Sequence, residues 1–182
     1  KSFNYVMENN IQGDFVECGV WRGGNLILLA QLLKNKNTKR GIYGFDTFEG
    51  MTLPTDHDVD YKGNTSKQLL NSSNKIDNVQ NVWSYCSIEN VKKHIQLFTN
   101  LNDINLIKGP VEKTLLEKNI LPEKISILRL DTDWYESTKI ELEILYPRLV
   151  KGGILIIDDY GHFKGCQKAV DEFFKNKQVF LN

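Results

Sequence analysis

Short apolar runs alternate with amphipathic stretches along the chain, and this alternation predicts strands and helices in turn. Strands are predicted at 15–18, 42–45, 105–107, 125–130 and 154–157, with one more beginning at 179–181. Helices are predicted at 26–33, 88–98, about 111–118, about 135–150 and 165–175, with Lys151-Gly152-Gly153 ending the fourth. The order predicts an α/β fold in which a doubly wound, mainly parallel sheet carries helices on both faces.

The chain of 182 residues fits one domain with its own core. The segment 48–81 is polar and poorly periodic, and it follows the carboxyl end of a strand. A long loop at such a place is usually functional, so we predict a lid-like insertion over a ligand site. Within it, His57 with Asp56, Asp58 and Asp60 resembles a metal cluster. We interpret these four residues as solvated loop instead.

Carboxylates follow two of the predicted strands. Asp131 and Asp133 come after the strand 125–130, and Asp158 and Asp159 come after 154–157. Alternate residues of a strand share a face, and the carboxyl ends of parallel strands share an edge. Carboxylates that meet there repel one another, so we predict a hard divalent cation held by their oxygens. The alternative is helix capping only, as Asp133 would do for a helix that starts near Tyr135.

A glycine-rich turn, CGVWRGGN, follows the first predicted strand and opens a helix. Glycines let backbone N–H groups approach a ligand, although the turn lacks the GxGxxG pattern and can also serve helix–strand packing alone. Glu17 at the end of that strand suits a cationic ligand, such as a sulfonium or an amino group. Asp46 ends the second strand, where an acid usually binds two ribose hydroxyls. The alternative for Asp46 is a turn cap.

Composition excludes several classes of partner. Lys plus Arg and Asp plus Glu both number 23, so the chain has no basic footprint for nucleic acid or for an anionic membrane. No apolar run reaches the length of a membrane span, and no signal peptide is recognised. The three cysteines are scattered without CxxC spacing. They predict free thiols in a reducing compartment, hence a cytoplasmic protein.

Five segments together resemble the macrocin-type O-methyltransferases. They are DFVECGVWRGGN, YGFDTFEGM, IKGPVEKTL, LRLDTDWYESTKIELEILYPRLVKGGILIIDDYG and GCQKAVDEFF. The resemblance covers Gly13–Phe174 and implies a Rossmann-like class I methyltransferase fold. It implies S-adenosylmethionine as methyl donor, a divalent cation, usually Mg²⁺, and a sugar hydroxyl of an antibiotic as acceptor.

The resemblance also implies roles for single residues. For the methionine part of the cofactor, it implies binding by Glu17, Gly19, Gly23 and Asn25. For the ribose it implies binding by Asp46, and for the adenine it implies contact with Val111 and Glu112. For the chemistry, it implies three metal ligands, Asp131, Asp158 and Asp159. Asp133 matches the proposed general base. His162 is the second candidate for the base, and Lys164 is a weaker one.

The expected function is therefore O-methyl transfer to one hydroxyl of a vicinal diol, in a sugar of a natural product or a glycan. The partner is a small molecule. Three alternatives remain: a catechol-type phenolic acceptor, a non-catalytic nucleoside- or metal-binding module, and an NAD-dependent dehydrogenase. The family carries an N-terminal extension that builds oligomers, which allows a homo-oligomer here, and a C-terminal hairpin. Most of that extension is expected to be absent, and the C-terminal strands are expected to be incomplete.

Overall fold

The computed structural model describes residues 1–177. Its sheet has five parallel strands in the order β3-β2-β1-β4-β5. The strands are β1 (Asp14–Cys18), β2 (Ile42–Asp46), β3 (Asn105–Lys108), β4 (Ile125–Leu130) and β5 (Leu149–Ile157). The predicted doubly wound parallel sheet is confirmed, whereas the strand predicted at 179–181 lies outside the described residues.

Helices cover both faces of this sheet. Within the described part of the chain they are α1 (Ser2–Glu8), α2 (Gly24–Asn35), α3 (Ser66–Asn71), α4 (Ile88–Gln96), α5 (Val111–Thr114), α6 (Tyr135–Leu145) and α7 (Lys164–Phe174). Phe15 and Ile127 pack in one apolar cluster with α1, α2 and α4. Their neighbours Val16 and Leu128 pack in a second cluster with α5, α6 and α7. This division follows from the alternation of side chains along a strand. No helix within residues 1–177 is long and apolar enough to cross a bilayer.

The strand order fixes where a ligand can bind. The chain passes from β1 to β2 on one side and later returns to β4 on the other side of β1. At such a reversal the connections leave the sheet in opposite directions, and a crevice opens beyond the carboxyl ends of the two strands. The turn after β1 and the loop after β4 therefore form the two sides of one crevice.

The end of α6 differs from the prediction. The helix ends at Leu145, because Pro147 lies in the following 3₁₀ turn and cannot continue an α-helix. Lys151-Gly152-Gly153 does not end the helix; it lies inside β5. Leu149 pairs with Ile125 and Ile154 pairs with Ile127. Lys151, Gly152 and Gly153 therefore belong to an irregular stretch of the ladder between β4 and β5.

The segment 48–81 is partly folded onto the body of the protein. Asp58 is 0% exposed and Asp60 is 6% exposed, so their interpretation as solvated loop is wrong. Asp60 accepts hydrogen bonds from the backbone N–H groups of Lys62 and Asn64 at 2.9 and 2.8 Å. Two isolated bridges, Val59 with Thr65 and Asp60 with Phe163, fix the segment further. Burial of both carboxylates follows because backbone donors satisfy them.

Candidate active site

A cleft opens at the carboxyl ends of the strands. Its space is about 710 Å³, including the part open to solvent. The lining comes from the turns after β1, β2, β3 and β4 and from the segment after β2: Gly19, Trp21, Asp46, Thr47, Gly50, Met51, Thr52, Ser84, Gly109, Val111, Glu112, Asp131, Thr132, Asp133 and Ser137. Six residues with predicted roles are in this lining: Gly19, Asp46, Val111, Glu112, Asp131 and Asp133. The other six are not: Glu17, Gly23, Asn25, Asp158, Asp159 and His162.

The turn after β1 contacts the loop after β4 closely. Gly19 has a φ of +84°, and a Cβ at this position would lie 1.9 Å from the backbone oxygen of Asp131. Only glycine fits such a backbone conformation and such an approach. The sequence therefore places glycine where the two sides of the crevice meet, and this contact brings the turn next to the acidic loop.

Asp46 holds the same turn from the end of β2. Its Oδ2 accepts hydrogen bonds from the backbone N–H groups of Val20 at 2.7 Å and Trp21 at 2.9 Å. Its Oδ1 accepts one from Phe48 at 2.6 Å. Burial raises the pKa of Asp46 above its ordinary value, although these three bonds act to lower it. The turn-cap alternative is therefore realised. Because each carboxylate oxygen can accept more than one bond, ribose binding by Asp46 stays a prediction.

Glu17 is buried beside the cleft and is ion-paired. It is 3% exposed, and its Oε1 accepts hydrogen bonds from Asn25 Nδ2 at 2.7 Å and from Arg129 Nη1 at 2.9 Å. Burial raises the pKa of Glu17, against the lowering effect of both partners. Its Oε2 has no partner among residues 1–177. One buried acceptor of this carboxylate thus receives no donor from the described part of the chain.

Arg129 is a site residue that the sequence analysis did not identify. Besides Glu17, it donates hydrogen bonds to Asp131 Oδ2 at 2.5 Å and to Asp158 Oδ1 at 2.8 Å. These carboxylates raise its pKa, so the guanidinium remains charged. The available signal was a basic residue inside an apolar strand, two positions before Asp131 and thus on the same face.

Three carboxylates converge beyond β4 and β5. Asp131, Asp133 and Asp159 each offer an oxygen, and these oxygens lie within 4.8 Å of one another. Burial raises the pKa of Asp131 to about 8, against the effect of Arg129, with Asp158 and Asp159 adding to the rise. Burial and the charge of Asp159 raise the pKa of Asp133 well above its ordinary value. In a cluster like this the charged forms need a cation beside them.

The cluster fits a hard divalent cation. Asp159 Oδ2 is buried and has no hydrogen-bond partner within the described residues, so one acceptor is left for an ion. Asp158 is not part of the close group, because Arg129 binds its carboxylate, which is 50% exposed. Of the three predicted ligands, Asp131 and Asp159 are thus together with Asp133, the predicted base. The assignment of ligands and base stays a prediction.

The loop that carries Asp133 is held in an unusual conformation. Asp133 has a φ of +67°, in the left-handed region, which aspartate tolerates better than most residues. Thr132 Oγ1 donates a hydrogen bond to the buried Glu141 Oε1 at 2.9 Å, and Asp131 N donates to Cys18 O at 2.9 Å. Glu141 is a second residue that the sequence analysis missed.

The cap of α6 comes from elsewhere, since Tyr135 N donates to Asp58 Oδ1 at 2.7 Å. The capping alternative for Asp133 is wrong.

His162 lies away from the cleft lining. It is exposed, and its ring packs edge-on against Phe163 and Tyr61, with centroid distances of 4.5 and 5.3 Å. Lys164 begins α7, and its backbone N–H donates to Val59 O. These packing contacts favour a structural role for the histidine. The prediction that His162 is the second candidate base therefore stays open, with Asp133 better placed.

The chain was compared with known protein families and proteins. Residues 1–181 match the family described as Macrocin-O-methyltransferase (TylF). The demethyldecarbamoylnovobiocin O-methyltransferase of Streptomyces niveus is 34% identical over 170 residues, which are 92% of this chain and 60% of the relative. A tetracenomycin rhamnosyl 4'-O-methyltransferase of Streptomyces olivaceus is 33% identical over 172 residues, again 92% and 60%. The chain thus spans about 60% of the length of these relatives.

Solved structures give the same fold. The O-methyltransferase NovP superposes with a TM-score of 0.78 at 30% identity, covering 98% of this chain and 71% of that chain. The calicheamicin methyltransferase CalS11 superposes with a TM-score of 0.71 at 22% identity, covering 99% and 71%. At that identity the second likeness concerns the fold alone. The likeness to NovP confirms the class I methyltransferase fold that was predicted from the sequence.

Proposed function

The chain belongs to the macrocin O-methyltransferase family, and from this premise we propose that it methylates one hydroxyl of a vicinal diol on a natural-product sugar. S-Adenosylmethionine is the methyl donor in this proposal, and a divalent cation assists. Relatives of the chain are named for methyl transfer to demethyldecarbamoylnovobiocin and to a rhamnosyl group of a tetracenomycin. The second name supports a sugar acceptor.

The observation that carries the proposal is the position of the carboxylate cluster. Asp131 and Asp133 line the same cleft as Gly19 and Asp46, the residues expected to bind the cofactor. A methyl donor held by the turns after β1 and β2 would therefore point its sulfonium towards the acids after β4. Val111 and Glu112 line the part of the cleft formed after β3, where the adenine is expected. In this proposal the cluster therefore faces the transferred methyl group.

The chemistry follows from this arrangement. Asp131 and Asp159 would hold the cation. When bound, a divalent cation supplies Lewis-acid assistance, which makes an acceptor hydroxyl easier to deprotonate. The acceptor oxygen forms a bond to the methyl carbon while the carbon–sulfur bond breaks and leaves its electron pair on sulfur. Asp133 accepts the hydroxyl proton as general base.

The remaining residues exclude water and fix geometry. Thr52 and Ser84 line the cleft and would border the acceptor. Holding donor and acceptor in line is a large part of such a reaction, because it removes the entropy cost of a bimolecular encounter. The three cysteines are buried free thiols, which supports placing this reaction in a reducing, cytoplasmic compartment.

The test is methyl transfer from labelled S-adenosylmethionine to a set of acceptors. The set contains a rhamnoside with free hydroxyls at C2, C3 and C4, its 3-deoxy analogue, which has no vicinal pair of hydroxyls, and a catechol. We expect label on the rhamnoside, little on the 3-deoxy sugar, no turnover in EDTA and recovery with Mg²⁺. Label on the catechol alone would replace the sugar by a phenolic acceptor. Full activity in EDTA would remove the cation from the account.

A further inference from the structure

The segment after β2 touches the loop that carries Asp133. Trp134 Nε1 donates a hydrogen bond to the backbone oxygen of Thr52 at 3.0 Å. Tyr135 N donates one to Asp58 Oδ1 at 2.7 Å. Trp134 and Tyr135 are the two residues that directly follow Asp133. Both contacts therefore act on the chain immediately after the proposed base.

Asp58 is itself fixed from several sides. Its Oδ2 accepts hydrogen bonds from Thr55 N at 2.6 Å and from Thr55 Oγ1 at 2.8 Å. Its backbone oxygen accepts one from Ser66 N at 2.8 Å. A Cβ on Gly165, in the first turn of α7, would lie 2.0 Å from Asp58 Oδ1. The carboxylate is thus enclosed between the starts of α6 and α7, with no freedom to move alone.

This arrangement replaces a local helix cap. Trp134 is the N-cap residue of α6, and its side chain makes no capping hydrogen bond. An aspartate next to a helix start commonly supplies such a bond. Because Asp58 supplies it from a distant segment, the side chain of Asp133 is left for the carboxylate cluster. The left-handed backbone of Asp133 then directs the chain into α6.

We propose that Asp58 is a positioning residue, which holds the start of α6 so that Asp133 faces the acceptor. The proposal rests on the proposed function through the role of Asp133. Asp58 does not line the cleft and touches no reacting group; it acts through Tyr135. The segment after β2 accordingly sets the geometry of the base besides forming a wall of the cleft.

The same segment offers a matched control. Asp60 is also buried, and its carboxylate accepts hydrogen bonds from Lys62 N, Asn64 N and Asn64 Nδ2 at 2.8–2.9 Å. All of these donors belong to the turn that contains Asp60. Asp60→Ala therefore removes a buried carboxylate from the segment without removing a contact to the loop of Asp133.

The kinetic test compares Asp58→Ala, Asp58→Asn and Asp60→Ala. We expect Asp58→Ala to lower kcat by about tenfold or more, because small misplacements of a reacting group are costly. KM for S-adenosylmethionine should stay within about twofold. Asp58→Asn keeps the shape and one acceptor, so it should fold and give an intermediate kcat. Asp60→Ala should lower Tm comparably while kcat stays within about twofold. An equal loss of kcat in Asp60→Ala would overturn the proposal.

A double-mutant cycle separates positioning from general damage. In an Asp133→Asn background, Asp58→Ala should have almost no further effect on kcat, since both act through one group. An equal effect in both backgrounds would overturn the inference. Amide hydrogen exchange at Tyr135 gives a readout without turnover, and it should accelerate in Asp58→Ala but not in Asp60→Ala. If wild-type protein methylates no acceptor, the proposed function fails; unchanged exchange at Tyr135 defeats the positioning claim separately.

Discussion

The four aspartates after β4 and β5 differ in their neighbours. Asp158 binds Arg129 and is half exposed, whereas Asp159 lies with Asp131 and Asp133. Sequence patterns predicted that these carboxylates share one edge of the sheet. They did not predict which of them Arg129 binds, because that choice depends on the register of β4 with both neighbouring strands.

The raised pKa of Asp131 predicts how stability depends on pH without divalent cations. Its pKa of about 8 in the folded protein lies above its ordinary value of 3.8, so the native state keeps a proton that the unfolded state releases. The stabilisation is complete below that ordinary value and is lost as pH rises through the folded value. In EDTA, Tm should therefore fall between about pH 4 and about pH 8.

Scanning calorimetry checks this with Asp131→Asn as the reference, because asparagine does not titrate. The fall in Tm should be shallower in the variant. Excess Mg²⁺ should remove most of the wild-type fall, since it stabilises the ionised carboxylates. Identical pH slopes for the wild type and the variant would show that the pKa of Asp131 is not raised.

At the level of elements, apolar runs predicted most strands and helices closely. The bounds of β4 agree with the prediction, because a mainly apolar run begins after Lys124 and ends before Asp131. The end of α6 was misplaced, since its apolar pattern continues past the proline that stops it. The fold of the segment 48–81 was not predicted because its contacts are long-range, such as that of Asp58 with Tyr135. Local patterns carry no information on such pairs.

Asp46 links two elements, and its replacement should show whether that link serves the cofactor. In Asp46→Asn an NH₂ group would face at least one backbone N–H of the turn after β1 or of Phe48. We expect a loss of about 1–3 kcal/mol in unfolding free energy from the unsatisfied donor. Affinity for S-adenosylhomocysteine should also fall, because the turn lines the cleft. Urea denaturation and titration calorimetry measure the two effects.

Asp14→Ala is the control for this variant, because asparagine could keep the one hydrogen bond that Asp14 accepts. Asp14 Oδ1 accepts this bond from Gly41 N at 2.7 Å, at the opposite end of β1 and β2. Its loss should also cost stability and should leave S-adenosylhomocysteine affinity unchanged. If Asp46→Asn also leaves that affinity unchanged while folded, Asp46 does not belong to the cofactor site.

At the level of the whole molecule, the strand order explains how the site forms. Placing β4 beside β1 brings residues more than 100 positions apart into one cluster, such as Arg129 and Glu17, whose atoms are 2.9 Å apart. The parallel, doubly wound arrangement was predicted, because strands alternate with helices along the chain. The side-chain contacts within the crevice were not, since they depend on the relative depth of each strand end.

The central claim is that Asp133 acts as the base while Asp131 helps to hold the cation. The most direct measurement is turnover of Asp131→Asn and Asp133→Asn as a function of Mg²⁺ concentration. Asp131→Asn should be partly restored by excess Mg²⁺. Asp133→Asn should keep near-normal affinity for Mg²⁺ and for S-adenosylhomocysteine, yet lose about 10²–10⁴-fold in turnover at every Mg²⁺ concentration. Restoration of Asp133→Asn by Mg²⁺, or turnover at the wild-type rate, would contradict the account and make Asp133 a ligand or a bystander.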